Sequence, residues 1–232
     1  MKIAPSILAA ALIGALGAGS AQAVPVGFTK LTGVTGGTLA ATAVYKADLG
    51  ALGFQIASIS IDDASAGLGG AGGQFSGFDL DAIKLSTTDC ADAACAAAAA
   101  GLAVFNFGGG TFFTPGAQRA PADPKLFGTG PAGNTVDNAV ARLGLFDGES
   151  TTAIPGAEGF MSMGDGGRLA FNLTALTDPT GLFLYIGEVG DNGEVAASNI
   201  EVRDTRVPEP GLLTLVGLGL CGLFGLRRRH TA

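Results

Sequence analysis

Arg168-Leu169-Ala170-Phe171-Asn172-Leu173-Thr174-Ala175-Leu176 is the stretch whose pattern decides the fold. Leu169, Phe171, Leu173 and Ala175 alternate with Ala170, Asn172 and Thr174. Successive side chains of a strand point to opposite faces, so this period of two predicts a strand with one face in a core. The turn Gly164-Asp165-Gly166-Gly167 precedes it and Asp178-Pro179-Thr180-Gly181 follows. Leu182 to Val189 is apolar on both faces, the pattern of a central strand. Asp191-Asn192-Gly193-Glu194 carries an Asn-Gly hairpin signal, and Ile200 to Val202 begins a final strand.

Upstream the pattern repeats. Thr38 to Tyr45, Phe54 to Ile61, Leu102 to Phe107 and Ala139 to Phe146 all read as strands bounded by turn residues. Ala91 to Ala100 is the one helix-forming run. Phe112 to Gly133 holds four Pro among Gly and Ala and reads as a long loop. The glycines of Gly67 to Gly73 lack P-loop spacing, which leaves a flexible connector. Roughly eight to ten short strands predict an all-β chain, an antiparallel two-sheet sandwich of jelly-roll type. A curled single sheet or an irregular barrel is the alternative.

Both ends of the 232-residue chain read differently from this body. Lys2, an apolar stretch from Ile7 to Leu16, and small residues Ala21 and Ala23 form a secretory signal peptide over residues 1–23, with signal peptidase expected to cut after Ala23. The ectodomain then covers residues 24–206. Nine of the 13 basic and 19 of the 20 acidic side chains lie between Val24 and Val207, a net charge of −10. So acidic a body repels nucleic acid and anionic lipid, and tolerates cations or neutral sugars. In an exported chain Cys90 and Cys95 are expected to close a local disulfide.

The C-terminal segment, residues 207–232, joins three physically different pieces. Val207-Pro208-Glu209-Pro210-Gly211 continues neither strand nor helix, because each Pro fixes φ and removes a donor. Leu212 to Leu226 is uncharged, a single membrane helix of about 15 residues against the ~20 that span comfortably. Arg227-Arg228-Arg229 keeps residues 227–232 cytoplasmic. In order, spacing and position this resembles the PEP-CTERM sorting signal of Gram-negative bacteria. The resemblance covers the last tenth of the chain. It implies that Val207, Pro208, Glu209 and Pro210 are the motif handled by an exosortase-type membrane enzyme. It implies transient anchoring in the inner membrane, then delivery to the cell surface or extracellular matrix, in association with exopolysaccharide or biofilm.

The body offers little chemistry. The one His is His230, in the tail, which removes Ser-His-Asp and Cys-His schemes. Asp79, Asp81, Glu149, Glu158, Glu188 and Glu194 are carboxylates of the type that hydrolyse glycans, but there is no Trp to hold a sugar ring. A strand from Phe78 to Leu85 puts Asp79, Asp81, Ile83 and Leu85 on one side. Asp79 and Asp81 would then share a calcium ion if a third oxygen donor arrived from another loop; a solvated strand end is the plainer alternative. No other cofactor is expected. The reading is a non-enzymatic exported surface or matrix protein, with a calcium-dependent carbohydrate-binding module as first rival and a carboxylate hydrolase as second.

Overall fold

A computed structural model describes residues 21–37, 42–65, 67–69, 71–149 and 157–208. Residues 1–20, Glu209, Pro210, the apolar run Leu212–Leu226 and Arg227–Arg229 lie outside the described residues. Among the described residues no helix is long and apolar enough to cross a membrane.

Ten strands are present among these residues: β1 (Ala23–Pro25), β2 (Thr29–Lys30), β3 (Thr42–Asp48), β4 (Ile56–Asp62), β5 (Asp79–Ser86), β6 (Thr111–Thr114), β7 (Met161–Ser162), β8 (Arg168–Thr177), β9 (Phe183–Val189) and β10 (Asn199–Arg203). They form two antiparallel five-stranded sheets packed as a sandwich, in the orders β1-β10-β4-β8-β6 and β2-β3-β9-β5-β7. Between the sheets, Ile59, Ile61, Leu169, Phe171 and Leu173 meet Leu80, Ile83, Leu85, Leu184 and Ile186. Each such side chain, fully buried, contributes about 1.5–3 kcal/mol. The alternation in β8 holds through Leu173 and then ends. The pairing with β4 shifts between Ile56 and Ser58, and Ala175, expected inside, is exposed.

The second sheet is covered on its other face too, which is why Leu182 to Val189 reads as apolar throughout. Helix α1 (Ala93–Ala98) lays Ala93 and Ala96 over Val44, Ala82 and Tyr185. Alanine side chains allow that close approach, and Asp92 caps the helix by accepting from the Cys95 N–H at 2.7 Å. Lys84 closes its other end, its Nζ donating to the carbonyls of Ala96, Ala97 and Ala99 at 2.9–3.0 Å. The Cys90–Cys95 disulfide is formed, with Cα atoms 5.5 Å apart.

Four expected elements differ. Ala139 to Phe146 is not a strand: α2 (Asn138–Ala141) starts at Asp137 and stops where Arg142 turns left-handed at φ 46°. The loop after it docks on β5. The Ile83 N–H donates to the Leu143 carbonyl at 2.9 Å, and the β5–β9 register shifts between Leu80 and Ile83. That bulge moves Ile83 and Leu85 into the core with Phe78 and Leu80, off the face they were expected to share with Asp79 and Asp81. Leu102 to Phe107 is also irregular, because Phe105 and Phe107 stack on each other at 5.6 Å and set their edges against Phe171. The strand of this region is β6, inside the stretch read as loop. Finally, Asn192-Gly193 makes no hairpin. The chain crosses from β9 in one sheet to β10 in the other through α3 (Glu194–Ala197).

Tyr185 ties the second face to the disulfide loop. Its buried hydroxyl accepts from the Cys90 N–H at 2.9 Å and donates to the Thr88 carbonyl at 2.6 Å. Tyr185→Phe is expected to cost about 1–3 kcal/mol in urea denaturation, since it leaves a buried N–H unpaired. An unchanged midpoint would show that this loop does not need the phenol.

Candidate functional site

Two places gather the residues singled out in the sequence: an end of the sandwich closed by buried acids, and the seam from which both described ends of the chain leave. The strand registers define these ends. Asp48 pairs with Phe183, Ile56 with Thr177 and Ala23 with Arg203, so these residues share one end with the connections 49–55 and 178–182. Thr42 pairs with Val189, and Asp62 with both Arg168 and Asn199, at the other end.

The acids occupy that other end. Glu188 is fully buried, and its carboxylate accepts from the N–H groups of Asn192 (2.7 Å), Gly193 (2.6 Å) and Val195 (3.1 Å). Asp63 accepts from the N–H groups of Ser65 and Gly166, both at 2.9 Å. Glu194 accepts from the N–H of Asp79 at 3.1 Å, and Asp79 itself accepts from the Ser162 hydroxyl. The glycine-rich loop closes over them, with the Arg119 guanidinium donating to the Gly69 carbonyl. Gly69 has φ +81°, and a Cβ there would lie 2.7 Å from Glu194 Oε1 and 2.5 Å from Asn192 Nδ2. The loop expected to be a free connector is therefore a fitted lid, and only glycine allows its approach.

Asp79 and Asp81 thus share a strand but serve different loops. Asp81 is fully buried and accepts from the N–H groups of Gly148 (2.8 Å) and Asp147 (3.2 Å). A side chain at Gly148 would sit 2.9 Å from that carboxylate oxygen, so glycine is needed there as well. Among the described residues no three His, Cys, Asp or Glu side chains are placed to hold a metal ion.

Burial raises the affinity of these acids for protons. It pushes Asp79 up to about 7, aided by the charges of Glu188 and Asp63 and opposed by Ser162 and Arg119. It pushes Glu194 up to about 9, with the Asp79 charge adding to it. Asp81 rises to about 7, again through burial, against the N–H bonds it accepts. Such acids often mark catalytic clefts. Here Asp81 and Glu194 accept from backbone N–H groups and Asp79 from the Ser162 hydroxyl, and neither of two surface clefts, of about 410 and 260 Å³, is lined by a carboxylate. The larger cleft is apolar, walled by Leu102, Phe105, Phe107 and Leu145 beside Lys84. Glu149 and Glu158 face each other across a single β-bridge, and Glu158 lies 3.3 Å from Arg142.

The seam is at the opposite end of the first sheet. Ala23, Val24 and Pro25 pair with Arg203, Val202 and Glu201. Just before β1, the Gln22 N–H donates to the Asp204 carboxylate at 2.9 Å and its carbonyl accepts from the Asp204 N–H at 3.2 Å. Ala23, the last residue expected in the signal peptide, is the first of β1. Pro25 is tolerated because β1 is an edge strand. Past β10 the chain runs over β4 and β8 to Val207 and Pro208. The juxtaposition of the two exits is long-range, and no local pattern in the sequence signals it.

Comparison with family models, with curated proteins and with solved structures finds no match for this chain.

The acid end sets a pH dependence. For Asp79, Asp81 and Glu194 the folded values lie above the unfolded ones. Their contribution is complete below the ordinary carboxylate range near pH 4, and it is lost as pH rises through about 7 and about 9. The thermal midpoint is expected to fall by about 5 °C or more between pH 5 and pH 9. Glu194→Gln, neutral throughout, should flatten that decline. A midpoint that rises with pH over this range would contradict the assignment.

Proposed function

We propose that this chain is an exported, non-enzymatic surface or extracellular-matrix protein, sorted by a C-terminal PEP-CTERM signal and built on a jelly-roll sandwich. The observation that carries the reading is the pairing of Val24 and Pro25 with Val202 and Glu201, which sets the start of the ectodomain beside its last strand at one end of one sheet. An ectodomain preceded by a signal peptide and followed by a membrane segment has both junctions at the same membrane during export. A fold whose two ends leave from the same end of one sheet meets that condition without a long linker. With edge strands β2 and β6 set aside, the sheets run β1-β10-β4-β8 and β3-β9-β5-β7, and the chain passes between them at most connections, which supports the jelly-roll reading.

A non-enzymatic role is supported by the setting of Glu188, Asp63, Glu194, Asp79 and Asp81, each of which accepts from the protein's own N–H or hydroxyl groups. Exopolysaccharide is the partner class that the sorting signal implies, and the −10 body favours a neutral or cation-bridged polymer over an anionic one. Signal peptidase and an exosortase-type enzyme are the processing partners, and the membrane is a transient one.

Intact mass tests the reading. Protein recovered from the surface or medium of exporting cells is expected to begin at Val24 and to end near Pro208–Gly211. A surface species retained through Ala232 would instead make this a permanently anchored membrane protein.

A further inference from the structure

We infer that Asn172 is a positioning residue that clamps the linker ahead of the Pro-Glu-Pro motif flat against the first sheet, so that general endoproteases are shut out up to Val207. The inference rests on the sorting reading for its purpose, though not for its geometry. The Asn172 carboxamide makes both bonds that a neighbouring strand would make: it donates to the Val207 carbonyl at 2.9 Å and accepts from the Val207 N–H at 2.7 Å. One residue earlier, the Arg206 guanidinium donates to the carbonyls of Leu173 (3.0 Å) and Thr174 (3.3 Å). Thr205 offers its carbonyl to the hydroxyl of fully buried Ser58 at 2.6 Å, and Asp204 is bonded to Gln22. Three consecutive residues, Thr205 to Val207, are thus held by contacts that do not depend on residues 1–23.

Endoproteases bind several residues of extended, unpaired chain. Cleavage within a docked segment therefore requires local opening, and its rate follows the population of the open form. The clamp lies where the β4–β8 register shifts, and there the carbonyls of Leu173 and Thr174 accept from Arg206. Asn172 is half-buried on a strand whose neighbours Leu169, Phe171 and Leu173 carry the core, so its amide can be altered without opening that core. The segment up to Val207 thereby stays sealed to soluble proteases.

Limited trypsin digestion of the full-length protein in detergent tests the clamp, because the Arg206–Val207 bond lies inside it. Followed by intact mass, Asn172→Ala is expected to speed cleavage after Arg206 about tenfold. Asn172→Asp, which keeps the acceptor and loses the donor, should fall between. Cleavage after Arg203, within β10, reports global opening and should stay slow in all three proteins. Equal rates after Arg206 in wild type and Asn172→Ala, or a parallel rise after Arg203, would overturn the inference. In exporting cells the same variant should lose its C-terminal segment earlier and at Arg206 rather than beyond Pro208. If neither protein yields a species ending near Pro208–Gly211, the sorting reading fails, while the trypsin result still decides the clamp.

Discussion

A carboxylate with no contact to water, Glu188, fixes the point where the chain crosses from one sheet to the other. It stands on the inter-sheet side of β9, paired with Ala43 and Leu80, and gathers three N–H groups from the loop that leads into α3. An unpaired buried acid would be costly, and three unpaired N–H groups nearly as much, so each satisfies the other. The crossing delivers the chain to β10, and β10 in turn pairs with β1 and with β4. The place of both chain exits follows from one buried anchor at the far end of the sandwich.

The second sheet shows how a strand can satisfy two cores at once. The bulge in β5 lets Phe78, Leu80, Ile83 and Leu85 all reach the space between the sheets. It also frees Asp81 to receive Gly148 and Asp147, and the Ile83 N–H to reach Leu143. Lys84, next in line, points the other way and closes α1. Burial lowers its proton affinity. Three carbonyl bonds compensate a partly desolvated ammonium well enough to keep it there.

How much of this was legible depended on whether the cause was local. The alternation of Leu169, Phe171 and Leu173, the two-sided apolarity of Leu182 to Val189 and the Cys90–Cys95 loop are local, and all appear in the fold. Ala139 to Phe146 has strand composition, yet Asp137 caps a helical turn there and the loop beyond it docks on β5. Phe105 and Phe107 carry strand propensity but stack on each other against Phe171 instead. Asn192-Gly193 has hairpin chemistry, and Glu188, four residues earlier, takes its N–H groups instead. The contacts of Asp79 with Ser162 and Glu194 span separations that no residue pattern announces.

The proposed role turns on the seam between Ala23–Pro25 and Glu201–Arg203, which pairs the first strand with the last. Pro25 and Glu201 oppose each other in the register, while the flanking Val26 N–H bonds to the Ile200 carbonyl. They therefore form a non-hydrogen-bonded pair, with Cα atoms roughly 4.5 Å apart, within the span a disulfide bridges. The most direct measurement is a non-reducing peptide map of exported protein carrying Pro25→Cys and Glu201→Cys. A crosslink between the peptides containing these two positions is the expected result. Two free, alkylatable thiols in an otherwise folded protein would contradict the seam, and with it the common exit on which the functional account stands.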